Sequence, residues 1–156
     1  MTHPRVLFLC TGNSARSQMA EAFLRAYAGD RFEVYSAGLE PAGYILPQVL
    51  TVMEERGLDL GGQRSKGVGD YLGRMHFAYV ITVCGRAEQN CPTVFLNMGR
   101  HEHWPFDDPA DFIGDDAQRL VFVRLLSNEI EARVRRWLED QDIPLSYLPD
   151  SWKVGG

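Results

Sequence analysis

Cys10 and Arg16 stand six positions apart in the run Cys10-Thr11-Gly12-Asn13-Ser14-Ala15-Arg16-Ser17. A thiol and a guanidinium at that spacing suit nucleophilic attack on a tetrahedral oxyanion. The planar guanidinium fork matches two oxygens of such an anion. A thiol held in a positive field is expected to ionise near neutral pH. Gly12 and Asn13 suit the positive φ angles of a tight anion-binding loop. Taken alone, a cysteine six residues before an arginine reads better as a buried strand-end thiol followed by a solvated helix residue.

The flanking elements decide between these readings. The apolar run Val6-Leu7-Phe8-Leu9 precedes the loop and reads as a buried strand, about Arg5 to Cys10. An amphipathic helix follows, about Ser17 to Tyr27. A strand feeding a tight loop and then a helix N-terminus aims backbone N–H groups at one point, where an anion is welcome. The candidate oxyanion cradle is therefore Thr11, Gly12, Asn13, Ser14, Ala15 and Arg16, with Cys10 as nucleophile.

The rest of the chain alternates short strands and helices, which predicts an α/β fold with a parallel sheet. Expected strands are Phe32 to Ala37, Phe77 to Cys84 and Thr93 to Leu96. Expected helices are Pro47 to Arg56 with Gly57 as its stop, a short one around Asp70, and Asp115 to Glu139 with acidic residues at its start. His101 to Asp111 reads as a loop, with His101 and His103 as a loop pair. The expected architecture is a four-stranded parallel sheet of order 2-1-3-4 with helices on both faces. Residues 1–140 form one catalytic domain and 141–156 an irregular tail, with Leu145, Tyr147, Leu148 and Trp152 able to pack back.

In that strand order the first and third strands are neighbours, and ligands bind outside their carboxyl ends. Cys10 ends one and Cys84 the other. Adjacent strands lie about 4.8 Å apart, so the two thiols are expected at or near bonding reach. Cys84 and Cys91 are separated by Gly85-Arg86-Ala87-Glu88-Gln89-Asn90. If that segment is helical, the Cα atoms stand about 10 Å apart, too far for a disulfide. Bonding them requires the segment to unwind, which Gly85, Asn90 and Pro92 favour. Two unrelated buried thiols are the alternative, but a relay needs an attacking and a resolving thiol beside the anion site.

Composition narrows the class. The 156 residues are 45% hydrophobic and 24% charged, with a net charge of −5. That charge argues against nucleic acid as a partner. No apolar run is long enough to span a membrane, and the N-terminal run is too short for a signal-peptide core, so a cytoplasmic protein is the expectation; no amphipathic surface helix stands out as a dimer face, so a monomer is expected. Three cysteines with no Cys-x2-Cys pair give no zinc pattern.

The chain resembles the thioredoxin-coupled arsenate reductases, which share the low-molecular-weight protein tyrosine phosphatase fold. The residues that carry the resemblance are Cys10 through Glu21, Ser36-Ala37-Gly38, Val83-Cys84 through Asn90-Cys91-Pro92, and His103-Trp104-Pro105-Phe106-Asp107-Asp108-Pro109-Ala110. It implies that Cys10 attacks arsenate while Arg16 and the loop amides hold the oxygens. Asp108 protonates the leaving oxygen, although an Asp-Pro turn alone would explain that residue. Ser17 hydrogen-bonds the Cys10 sulfur. Cys84 attacks Cys10 and arsenite leaves; Cys91 then attacks Cys84, and thioredoxin reduces the resulting disulfide. No cofactor is implied as bound, and phosphate and sulfate are expected competitors. Related enzymes coupled to glutaredoxin or mycothiol lack the second and third cysteines, which favours thioredoxin here.

Some members of that family bind potassium through residues matching Asn13, Glu21, Ser36 and an aspartate. The aspartate position falls on Lys66, so the expectation is that its ammonium occupies the cation position; a solvated loop lysine is the alternative. The competing enzyme reading is a phosphatase acting on phosphomonoesters. It uses the same loop and Asp108 without needing Cys84 or Cys91. Phosphatases of this fold carry tyrosines after the Asp-Pro, where this chain has Ala110-Asp111-Phe112. A third reading is a non-catalytic oxyanion or redox sensor built on the same thiols.

Overall fold

The computed structural model describes residues 3–144. Four parallel strands form one sheet: β1 Arg5–Cys10, β2 Glu33–Gly38, β3 Tyr79–Thr82 and β4 Arg100–His103. Their order is β2-β1-β3-β4, as the sequence predicts. Five helices accompany them: α1 Arg16–Ala28, α2 Pro47–Glu55, α3 Gly85–Gln89, α4 Thr93–Leu96 and α5 Asp116–Asp140. Single 3-10 turns lie at Val68–Asp70 and Pro109–Asp111.

The fully buried Val6, Leu7, Phe8 and Leu9 place β1 at the sheet centre, where both faces are covered and a continuous apolar run is required. Register pairs Leu7 with Tyr35 and Val80, and Phe8 with Ser36 and Ile81. Alternation therefore sends the two sets to opposite faces. On the Phe8 face, Trp104 and Trp137 pack edge to ring, and Phe32 and Tyr79 close the cluster around Trp137. On the other face Tyr35, Tyr71, Phe77 and Phe95 form a second aromatic cluster. Helix α5 docks on α1 and α2 through buried Val123, Ile130 and Val134. Its start is fixed by a capping box: the Asp115 carboxylate accepts from the Gln118 N–H at 2.8 Å while the Gln118 side chain accepts from the Asp115 N–H.

Three expectations need correcting. Thr93–Leu96 is a helical turn, not a strand. Four residues are too few for periodicity to decide, and Pro92 immediately before them presets the φ that opens a helix. The fourth strand is Arg100–His103, inside the stretch expected to be a loop. It is a polar edge strand, half exposed, so a search for apolar runs passes over it. The third strand is shorter than its apolar run, although Ala78 and Val83 still hydrogen-bond to β1 at 2.9 and 2.8 Å. Gly57, at φ +79°, terminates α2 as expected. The expected tail contacts of Leu145, Tyr147, Leu148 and Trp152 lie outside the described residues.

Candidate active site

The anion loop crowns β1 and runs into α1. Ala15, with no side-chain acceptor, occupies the N-cap of α1, so the cap residue itself offers the first turn no side-chain bond. Asn13 alone in the loop takes a positive φ, +50°; Gly12 does not, contrary to the expectation for it. The Asn13 N–H donates to Cys10 Sγ at 3.1 Å, curling the loop around the thiol. Ser17 Oγ lies 2.8 Å from the same sulfur, the contact that the resemblance implies. Asn13 Nδ2 donates to Ser17 Oγ at 2.8 Å and to Ser36 Oγ at 3.0 Å, locking the serine in place.

Arg16 is 7% exposed and faces the mouth of the site. Its Nη1 donates to the Phe106 carbonyl at 3.1 Å and its Nη2 pairs with Asp108 at 3.1 Å. Asp108 therefore stands over the loop and is more than a turn residue. Burial works against the ready ionisation expected of Cys10. Burial pushes the Cys10 thiol up, and the pull of Ser17, Arg16 and the Asn13 N–H only partly offsets it. Sequence spacing shows the donors around the sulfur but not its 2% exposure, nor that Asp108 shares the Arg16 charge.

Two residues that the sequence reading quoted without giving them a role shape the site. Gly38 ends β2 against the loop: a Cβ there would stand 2.5 Å from the Thr11 carbonyl oxygen and 2.9 Å from the Asn13 nitrogen. Only glycine lets the strand end approach so closely. Gln18 is fully buried, and its Nε2 donates to Asn13 O, Asn13 Oδ1 and Arg64 O at 2.8–3.1 Å, tying the loop to the 63–66 segment. The conformation of the loop is thus set from below as well as by its own residues.

Lys66 comes to the same place. Its side chain is 11% exposed, which rules out a solvated loop lysine. The Nζ lies 2.7 Å from Arg64 O, 3.3 Å from Ser36 Oγ, 3.5 Å from Asn13 Oδ1 and 3.8 Å from Glu21 Oε1. Glu21 also accepts from Ser36 Oγ at 2.5 Å. Burial pulls the Lys66 ammonium below its ordinary pKa, and the Glu21 carboxylate opposes that.

Cys84 sits at the carboxyl end of β3, beside the loop, with its Sγ 3.5 Å from Thr11 Oγ1. It is the N-cap of α3, and its sulfur accepts from the Ala87 N–H at 3.4 Å. Cys91 lies beyond the far end of α3. Burial, and then the Glu88 charge, pushes its thiol up to about 11. All three cysteines are buried free thiols. With α3 formed, the spacing for a helical segment applies, and Cys84 and Cys91 are held apart.

This layout of strand, thiol loop, helix and Asp-Pro loop is that of a known family, and the profile of the low molecular weight phosphotyrosine protein phosphatases matches residues 5–144. The chain belongs to the low molecular weight phosphotyrosine protein phosphatase family. The arsenate reductase of Shouchella clausii is 41% identical over 140 residues, 89% of this chain and 98% of that protein. A solved arsenate reductase in a phosphate-binding state superposes with a TM-score of 0.73 at 30% identity, covering 88% of this chain and 98% of the other. The thioredoxin-dependent arsenate reductase of Corynebacterium glutamicum superposes with a TM-score of 0.69 at 33% identity, covering 88% of this chain and 61% of that one. The resemblance read from the sequence is thereby borne out. Among the described residues no helix is long and apolar enough to cross a membrane.

Proposed function

We infer that this chain reduces arsenate to arsenite through a three-thiol relay recycled by thioredoxin. The observation that carries this reading is the Cys84 sulfur, 3.5 Å from a hydroxyl of the anion loop, with Cys91 one short helix away. A phosphatase has no use for either thiol. The arsenate reductase names of the relatives support the substrate, and one thioredoxin-dependent neighbour supports the reductant.

Arsenate enters the loop, where the amides and the Arg16 fork bind its oxygens in place of the Arg16–Asp108 pair. The bound oxyanion frees Asp108 to take up the proton that Cys10 loses and to pass it to the departing oxygen, which leaves as water as the Cys10 thiolate forms a sulfur–arsenic bond. Cys84 then attacks Cys10 Sγ. The sulfur–arsenic bond breaks, its electron pair stays on arsenic, and arsenite leaves behind a Cys10–Cys84 disulfide. Cys91 thiolate attacks Cys84 and expels Cys10 as thiolate, giving a Cys84–Cys91 disulfide that a thioredoxin dithiol reduces. Lys66 occupies the cation position among Asn13, Ser36 and Glu21, so no potassium ion is required.

The test is Cys91→Ala. It leaves hydrolysis of p-nitrophenyl phosphate by the Cys10 loop intact and limits arsenate reduction to one turnover per chain. Sustained thioredoxin-driven turnover by Cys91→Ala overturns the relay. Slow phosphomonoester hydrolysis by the wild type is expected, because Cys10, Arg16 and Asp108 are the groups that chemistry needs.

A further inference from the structure

Glu88 is the central group of a polar cluster that the proposed chemistry does not use. It lies on α3, between Cys84 and Cys91. Its carboxylate accepts the Thr82 hydroxyl at 2.5 Å and lies 2.8 and 3.1 Å from His101 Nε2. His103 Nδ1 is 2.8 Å from Thr82 Oγ1 and 3.7 Å from Glu88, completing the cluster. Strand register explains the convergence: Thr82 pairs with His103 and Val80 with His101, so both histidines project from the sheet face that α3 covers. Burial pushes the Glu88 carboxyl up, but the bonds from Thr82 and His101 outweigh it and hold it below its usual range. The group is therefore an anion anchored to β3 and β4.

The anchor matters because α3 is only five residues long and has little stability of its own. Other ties hold it as well, including the Asn90 side chain, which donates to the Arg86 carbonyl at 2.9 Å. Ala87 is fully buried beneath it. The Cys84 sulfur caps its N-terminus at 3.4 Å, a bond weakened once that sulfur is joined to Cys10. The Arg86–Glu40 pair is exposed at both ends and contributes little. A Cys84–Cys91 disulfide cannot form while the intervening turn is helical, since the Cα atoms must close to within about 7 Å. Unwinding that turn moves Glu88 away from Thr82 and His101, which belong to the sheet and stay in place.

We propose that the Glu88 carboxylate, held by Thr82 and His101, is a clamp on α3 whose release sets the rate at which Cys91 resolves the Cys10–Cys84 disulfide. This rests on the relay reading. Glu88 is a positioning residue: it touches no substrate and acts through the helix that separates the two thiols. While clamped, α3 keeps Cys91 away from Cys84 until the first exchange has produced a disulfide worth resolving. The thiol exchange itself is unchanged, with Cys91 thiolate attacking Cys84 Sγ and Cys10 thiolate departing.

The experiment mixes the reduced full chain with arsenate in the absence of thioredoxin, quenches with an alkylating agent at set times, and maps disulfides by peptide mass spectrometry. Glu88→Ala is expected to shorten the lifetime of the Cys10–Cys84 species about ten- to a hundredfold, a loss in keeping with a charge-assisted hydrogen bond. His101→Ala, which weakens the clamp but leaves the Glu88 charge beside Cys91, is expected to shorten it about threefold. Hydrolysis of p-nitrophenyl phosphate stays at the wild-type rate in both variants. A shortened lifetime in Glu88→Ala with a lengthened one in His101→Ala overturns the clamp in favour of a purely electrostatic effect on Cys91. Amide hydrogen exchange over residues 85–90 separates the two layers of the argument. Exchange in Glu88→Ala that matches wild type overturns the clamp with the relay intact, whereas absence of any Cys84–Cys91 disulfide in the wild type overturns the relay.

Discussion

Ser17→Ala tests how the site counters the burial of its nucleophile. Ser17 Oγ is 2.8 Å from Cys10 Sγ and is itself held by Asn13 Nδ2 at 2.8 Å, so the hydroxyl has one orientation in which it donates to sulfur. Burial pushes the Cys10 thiol up, and the Ser17 bond is the largest influence opposing it. A hydrogen bond to a charged group contributes about 1.5–3 kcal/mol, and one pKa unit corresponds to about 1.4 kcal/mol. Removing the hydroxyl therefore raises the Cys10 pKa by about one to two units. Below that pKa each unit removes about nine-tenths of the remaining thiolate, so kcat/KM at pH 7 falls about ten- to a hundredfold and its acid limb moves to higher pH. The direct assay is thiolate absorbance near 240 nm against pH in a Cys84→Ser, Cys91→Ser background, where Cys10 is the sole thiol. A Cys10 titration unchanged by Ser17→Ala refutes the reasoning, because it means the serine positions the loop without touching the charge on sulfur.

Three further outcomes follow from the geometry. Gly38→Ala drives a methyl group into the Thr11 and Asn13 backbone, so it is expected to destabilise the fold by about 1–3 kcal/mol in thermal melts and to weaken phosphate inhibition of p-nitrophenyl phosphate hydrolysis. With its thiol near 11, Cys91 in the reduced protein should alkylate slowly at neutral pH and about tenfold faster per pH unit up to that value; a rate that plateaus below pH 9 contradicts the burial argument. Wild-type activity should be indifferent to exchange of sodium for potassium. Lys66→Ala, by vacating the place among Asn13, Ser36 and Glu21, should become potassium-responsive, and a wild type steeply activated by potassium contradicts the built-in cation.

What the sequence made legible was local and periodic. The thiol loop could be read because its glycine, asparagine and arginine sit between a fully apolar strand and a helix, and the start of α5 could be read from the acidic Asp115 and Asp116 placed there. The strand order followed from alternation of elements. What stayed hidden depends on contacts between distant segments. The strand Arg100–His103 is an edge with a polar surface, and its identity comes from pairing with Tyr79–Thr82 rather than from its own pattern. Gly38 is a loop-ending glycine until β2 is laid against Thr11. Glu88 and His101 are an unremarkable helix residue and a histidine until register brings them within 2.8 Å. The burial that opposes Cys10 ionisation stayed hidden for the same reason: the donors are sequence neighbours, but the burial comes from the whole sheet.

The central claim is that three thiols pass two electrons to arsenic, and it is tested most directly by NADPH consumption with arsenate, thioredoxin and thioredoxin reductase, comparing wild type with Cys84→Ser. The account predicts sustained arsenate-dependent consumption by the wild type and none by the variant, with both hydrolysing p-nitrophenyl phosphate. Wild-type protein that hydrolyses the phosphate ester but consumes no NADPH would contradict it and return Cys84 and Cys91 to the role of core residues.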